Sequence, residues 1–207
     1  MRGMEWVWSG KGIEGFLTFV QKSINSNRHK DSTVHRMKKI GILSDTHGHL
    51  DPQLLDFFKE CHLLWHAGDI GNLETYDSLA AYKPLVAVAG NIDDHRVRSV
   101  CPLVQRFSCE GADVLLTHIG GYPGHYDRRV VPLIESQPPT LFVCGHSHIL
   151  KVIFDKKYNL LHINPGAAGY SGLHTVRTAI RFDLSEGKPS NLQILELPRH
   201  LNTQSNG

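Results

Sequence analysis

"KKIGILSDTHGH", residues 38–49, is the stretch on which the fold turns. Ile40, Gly41, Ile42 and Leu43 form a short apolar run that stops at Asp45 and His47. An uninterrupted apolar run of this kind reads as a buried strand. Asp51 and Pro52 then supply an N-cap followed by proline at the first helical position. The helix predicted over 52–61, PQLLDFFKEC, presents Leu54, Leu55, Phe57 and Phe58 as its apolar face. HLLWHAG (62–68) is the next strand, LETYDSLAAY (73–82) the next helix and PLVAVAG (84–90) the third strand. This β-α-β-α-β alternation predicts parallel strands joined by right-handed crossovers.

The second half changes style. LVQRFSC (103–109) and ADVLLTH (112–118) flank Glu110–Gly111, a hairpin turn signal. YDRRVVPLIESQ (126–137) predicts a helix and TLFVCG (140–145) another buried strand. LKVIFD (150–155), YNLLHIN (158–164), VRTAIRFD (176–183) and LQILEL (192–197) follow with short turns and predict an antiparallel meander. The class expected is α/β, with two mixed sheets packed face to face and helices outside.

Residues 1–36 do not share this pattern. Ile13, Phe16, Leu17, Val20 and Ile24 fall at helical spacing. The segment reads as a flexible extension, as an amphipathic docking helix, or as sequence upstream of a natural start at Met37. Its apolar part is interrupted by Thr18 and Gln21, which does not fit a signal peptide. The domain is therefore expected over 37–200, followed by a polar tail.

The chain has 207 residues, a formal net charge of +2 and 41% hydrophobic residues, enough apolar material for one ordinary core. So weak a balance, without a basic cluster, does not predict nucleic-acid binding. No apolar stretch reaches the length of about 18 residues that a membrane span needs. Cys61, Cys101, Cys109 and Cys144 form no CxxC pair and read as reduced thiols of a cytoplasmic protein. Histidine is the anomaly, at 14 residues.

Several of those histidines sit where apolar runs stop. SDTHGH brings Asp45 and His47, HAGDIGN brings Asp69, and AGNIDDH brings Asn91. DVLLTH ends in His118 and LFVCGHSH in His146 and His148. In α/β sheets, ligands bind outside the carboxyl ends of the strands. Imidazole and carboxylate suit Mn, Fe, Zn and similar divalent metals, and the lack of thiolate argues against a structural zinc site. Seven donors exceed one tetrahedral metal but serve two if a carboxylate bridges. Two metals about 3.5–4 Å apart clamp a phosphoryl group. In an extended segment i and i+2 point the same way, which would aim both members of Asp45-x-His47 and of His146-x-His148 at one cluster.

The ordered set SDTHG, GD, GN, TH and GHSH resembles the calcineurin-like metallophosphoesterases. The short spacing and the later INPG (163–166) resemble the small YfcE-like phosphodiesterase branch. The resemblance covers roughly residues 38–185. It implies a four-layer αββα sandwich and a binuclear site. By motif, Asp45, His47 and His148 would hold one metal, Asn91, His118 and His146 the other, and Asp69 would bridge. Mn²⁺ is the first expectation, with Ni, Co, Fe or Zn as alternatives. The implied reaction is phosphodiester hydrolysis by a metal-bridging hydroxide, with Asp69, Asn91 and His118 as the catalytic set. The alternatives are a phosphomonoesterase or protein phosphatase on the same site, or a scaffold like the retromer subunit that resembles this branch.

Two departures stand out. Many family members carry a histidine directly after the motif asparagine as a proton donor, and here that position is Ile92. General acid catalysis contributes about 10²–10⁴-fold, so its loss favours activated diesters over poor leaving groups. His95 or Asp94 would substitute only if the loop folds back, and Asp93 is expected to orient that loop. Ile119 follows the motif histidine where the branch commonly has glycine. Beyond it, His125, Tyr126, Arg128 and Arg129 are candidates for touching phosphate, with Asn91 and His95 as further substrate contacts. The expected partner is a small phosphoester, with no membrane or nucleic acid, and a homodimer is compatible with exposed strand edges.

Overall fold

The computed structural model describes residues 37–199. The expectations for residues 1–36 and for the tail from 200 onward lie outside the described residues.

Two five-stranded sheets form the body. The first contains β1 (Lys38–Leu43), β2 (Leu63–His66), β3 (Leu85–Ala87), β11 (Val176–Ser185) and β12 (Lys188–Pro198), in the order β12-β11-β1-β2-β3. The second contains β4 (Val104–Cys109), β5 (Ala112–Thr117), β8 (Leu141–Val143), β9 (Leu150–Asp155) and β10 (Leu160–Pro165), in the order β4-β5-β8-β10-β9. A short ribbon, β6 (Gly121–Tyr122) and β7 (His125–Tyr126), stands apart. The helices are α1 (Pro52–Phe58), α2 (Leu73–Tyr82), α3 (His95–Val100) and α4 (Val131–Ser136).

Side-chain alternation builds the layers. Ile40 and Ile42 of β1, Val114 and Leu116 of β5, Leu141 and Val143 of β8, and Ile180 and Phe182 of β11 meet in one core between the sheets, around Trp65. The alternate residues face outward. Leu43 and Leu64 pack with Leu54 and Phe58 of α1 and Leu79 of α2. Leu115 and Phe142 pack with Val130 and Ile134 at α4. Val97 of α3 covers Ala87 and Ala89 at the β3 edge. The result is the αββα sandwich. β1 and β2, β2 and β3, β5 and β8, and β8 and β10 pair in parallel.

Three expectations change. The four late strands are not one meander: β9 pairs with β10 in the second sheet and β11 with β12 in the first. The free edge of β1 takes β11, with Ile42 opposite Ile180, so the chain must change sheets between Pro165 and Val176. The helix expected over 126–137 begins only at Val131, because Tyr126 pairs in the ribbon opposite Gly121. Helix α3 was not expected. It buries only Val97, and Asp94 caps it by accepting from the amides of Arg96 and Val97. All four cysteines are buried and free, and burial pushes the Cys144 thiol up to about 12. Among the described residues no helix is long and apolar enough to cross a membrane.

Candidate metal centre

β1 and β8 are the central strands of their sheets, and their carboxyl ends lie side by side. Beyond β1, the amides of Asp45, His47 and Gly48 donate to the carbonyls of Gly68 (2.9 Å), Asp69 (3.0 Å) and Ile70 (2.7 Å). The loop after β1 is therefore laced to the loop after β2. From β8, the Gly145 amide donates to the carbonyl of His118 (2.9 Å), and the His146 amide donates to Asp45 Oδ1's partner oxygen, Oδ2 (3.1 Å). The first bond ties neighbouring strand ends of the second sheet, and the second joins the two sheets at the site.

The backbone here is not extended. Asp45, His47, Asp69, His146 and His148 all have positive φ, between 48° and 67°. The i, i+2 pairs thus converge through left-handed turns rather than through strand alternation. Asp and His tolerate this region better than most residues, yet such conformations cost on the order of 1–3 kcal/mol each and cluster at functional sites. Gly90 is not among the positive-φ glycines, and it is small because a Cβ there would run into Asp69 Oδ1 and the Asp69 amide.

Asp93 orders this corner. Its buried carboxylate accepts from the amides of Gly71 (2.7 Å), Gly90 (2.7 Å) and Ile70 (3.2 Å). Arg98 of α3 donates to the carbonyls of Asp93 (2.8 Å) and Gly90 (3.1 Å). The loop bearing Asn91 is thereby framed on both sides, and Asp93 does orient it.

Two groups of donor atoms result, Asp45 with His47 and His148, and Asp69 with His118 and His146, each with its atoms within 4.8 Å of one another. Asn91 joins the second, its Oδ1 3.0 Å from His118 Nε2. Asp69 stands between the groups, with Oδ1 3.3 Å from His118 Nε2 and Oδ2 3.9 Å from His47 Nε2. His118 Nδ1 lies 2.8 Å from the Ala67 carbonyl, so its proton belongs on Nδ1 and Nε2 faces the donors. Burial works against charge on His118, but Asp69 and Asp45 outweigh it and raise its pKa. Asp45 raises that of His148, while burial and His118 lower that of His146. Burial opposes ionisation of Asp69, but His118 and the Ile92 amide (3.0 Å) prevail and keep it ionised.

Asp45 Oδ1 and His47 Nε2 are buried without a hydrogen bond, and His148 Nε2 comes within 3.1 Å of Asp45 Oδ1. Buried polar atoms need partners, and a cation shared by these donors would supply one. The residues present fit divalent metals.

The structure does not bring every candidate to this site. His95 opens α3 and is exposed, and the Asp94 carboxylate is engaged as the cap of that helix. Ile92 itself is 46% exposed. His125 packs against Tyr122, and Arg128 is exposed on the loop before α4. Arg129 pairs with Asp127, and the Tyr126 hydroxyl donates to Asp155 (2.8 Å). These side chains make no contact with the metal-ligand candidates. The sequence reading also missed three supports. Arg98 is one. Asn164 is another: its amide nitrogen donates to the Gly145 carbonyl (2.8 Å) and Ser147 Oγ (3.1 Å), holding the loop of His146 and His148. The third is His174, 3.2 Å from His148. Asn164 lies in the INPG stretch, but nothing in the sequence marked His174.

A family model described as "Calcineurin-like phosphoesterase superfamily domain" matches residues 37–187. A "Probable metallophosphoesterase" of Methanothermobacter thermautotrophicus is 26% identical over 133 residues, 62% of this chain and 76% of the relative. One from Methanocaldococcus jannaschii is 29% identical over 136 residues, 62% of this chain and 67% of the relative. The fold matches a structure of an archaeal phosphodiesterase (TM-score 0.61, 23% identity, 77% of this chain and 99% of that one). It matches Chaetomium thermophilum Vps29 equally well (TM-score 0.61, 14% identity, 77% and 97%), a likeness of fold alone. With the family model spanning nearly the whole described domain, the chain belongs to the calcineurin-like phosphoesterase superfamily.

Proposed function

We propose that this chain is a phosphodiesterase with a two-metal site. Asp45, His47 and His148 would hold one ion, Asn91, His118 and His146 the other, and Asp69 would serve both. The observation that carries this reading is Asp69, whose two oxygens turn to the two groups at 3.3 Å and 3.9 Å. Mn²⁺ is the ion expected first, with Ni²⁺, Co²⁺, Fe²⁺ or Zn²⁺ as alternatives, because imidazole, carboxamide and carboxylate donors without thiolate accept any of these. Divalent ions bound there supply polarisation of phosphoryl oxygens and a lowered pKa for coordinated water.

The protein's own part is orientation. The Ala67 carbonyl holds His118 with Nε2 inward, the Ile92 amide holds Asp69 Oδ1, and Gly90 leaves room for that carboxylate. Preorganised groups of this kind stabilise developing charge without reorganising. The side chain after Asn91 is isoleucine, which cannot give a proton to a leaving group. That supports diesters with good leaving groups over monoesters, and a small phosphoester as substrate. Retention of all seven donors supports an enzyme over a scaffold.

The test is hydrolysis of bis-p-nitrophenyl phosphate and p-nitrophenyl phosphate by metal-loaded protein. Mn²⁺-dependent turnover with a higher kcat/KM for the diester is expected. No turnover with Mn²⁺, Ni²⁺, Co²⁺ or Zn²⁺ would refute the activity, and preference for the monoester would refute the diester assignment.

A further inference from the structure

The segment that carries the chain from β10 in one sheet to β11 in the other passes directly over His148. A side chain at Gly172, where φ is 117°, would collide with the His148 ring. Two residues on, the His174 ring meets that of His148 at 5.1 Å between centroids and 70° between planes. The polar contacts along this edge form a chain. His174 Nε2 lies 3.0 Å from the Gly169 carbonyl, and His174 Nδ1 lies 3.2 Å from His148 Nδ1.

Those distances decide where the protons sit. A carbonyl only accepts, so His174 carries its proton on Nε2. In a neutral imidazole the other nitrogen, Nδ1, is then a bare acceptor. His148 must supply the proton between the two rings, from its own Nδ1. Its Nε2 is left with a lone pair facing Asp45 Oδ1 at 3.1 Å. Two acceptors facing each other are favourable only with a cation shared between them.

The platform beneath His174 is tied down on both sides. The Gly169 amide donates to the Asp45 carbonyl (3.0 Å). Arg199 donates from Nε to the Tyr170 carbonyl (3.0 Å) and from Nη1 to the His174 carbonyl (3.2 Å). The buried Arg177 guanidinium covers the Tyr170 ring at 4.0 Å and pairs with Asp51 (2.9 Å).

We propose that His174 is a positioning residue: it holds His148 in the Nδ1-protonated tautomer, so that Nε2 is free for the metal shared with Asp45 and His47. This rests on the ligand assignment proposed above. His118 receives the same service from the Ala67 carbonyl, and His148 receives it from a side chain. Partners of this sort behind a metal-bound histidine are worth about 10–100-fold in metal affinity.

Two measurements on the full chain test it. Long-range ¹H–¹⁵N spectra of Zn²⁺-loaded, histidine-labelled protein report which nitrogen of His148 bears the proton. Protonation on Nδ1 is expected, and protonation on Nε2 overturns the proposal. Calorimetry with Mn²⁺ then compares wild type, His174→Phe and His174→Asn, with thermal melting as the check on folding. His174→Phe keeps the ring and removes the acceptor, and should weaken one Mn²⁺ site about 10–100-fold while sparing the other. His174→Asn, whose side-chain oxygen replaces Nδ1 as acceptor, should recover most of that loss. Unchanged affinity in a folded His174→Phe protein overturns the proposal. Wild-type protein that takes up neither Mn²⁺ nor Zn²⁺ overturns the ligand assignment itself, whereas metal uptake with the His148 proton on Nε2 overturns only the part played by His174.

Discussion

The two donor groups are built differently. In the Asp69 group, His118 is buried and its Nδ1 is held by a main-chain carbonyl, that of Ala67, just beyond β2. In the Asp45 group, His148 is held by His174, a side chain that arrives from the sheet-crossing segment more than twenty residues later. A main-chain anchor cannot be removed by substitution, whereas a side-chain anchor can. The first group draws Asp69 and Asn91 from the β-α-β half and His118 and His146 from the ends of β5 and β8, and the second needs the late crossover to be complete. Asp69 faces both, 3.3 Å from His118 and 3.9 Å from His47.

The largest effect should come from that shared residue. Asp69→Asn removes the charge that faces both groups, and kcat for the diester should fall by at least about 10³-fold, read by steady-state kinetics. Loss in KM alone would place Asp69 in substrate binding instead. Gly90→Ala should come next. The new methyl would push into Asp69 rather than into either histidine, so both groups should suffer together. A stability loss of roughly 1–3 kcal/mol from overpacking is expected in denaturant titrations, with a large drop in turnover. Full activity would mean that the loop yields freely.

A third substitution acts beside the groups. Ile92→His puts an ionisable side chain next to Asn91, at a position already exposed. Monoester turnover should rise by about tenfold or more relative to diester turnover, measured as the ratio of kcat/KM values. An unchanged ratio would remove the link between Ile92 and substrate choice.

The last effect is on stability alone, leaves the donor groups in place and is spread over both sheets. His66, at the end of β2, meets Thr46 Oγ1 at 2.9 Å, and His162, in β10, meets the Gly121 carbonyl at 2.9 Å. Burial lowers the pKa of each to about 4. In the unfolded chain the value is about 6.5, so on acidification the unfolded state takes up these protons first. Their contribution is complete above about pH 6.5 and fades towards pH 4, at up to about 1.4 kcal/mol per pH unit for each histidine. Urea titrations between pH 7 and pH 4.5 should show the decline, with a shallower slope in His162→Phe.

Much of this was legible in the chain itself. The apolar runs of β1, β2, β5 and β8 mark strands buried on both faces, and the polar residues after them mark the site. What the runs do not say is which sheet a strand joins. VRTAIRFD alternates in the same way whether it pairs with β10 or with β1, and only the free edge of β1 decides it. Helix α3 was hidden because HRVRSV buries a single side chain. The left-handed turns at Asp45, His47, His146 and His148 were hidden because the i, i+2 spacing fits an extended segment equally well. His174 ends no apolar run, and its part depends on where the crossover lands.

The most direct test of the two-group account is a calorimetric titration of metal-stripped wild-type protein with Mn²⁺. Two ions bound per chain are predicted, with Asp69→Asn weakening both. A single ion per chain, or two ions whose binding is indifferent to Asp69→Asn, would contradict it.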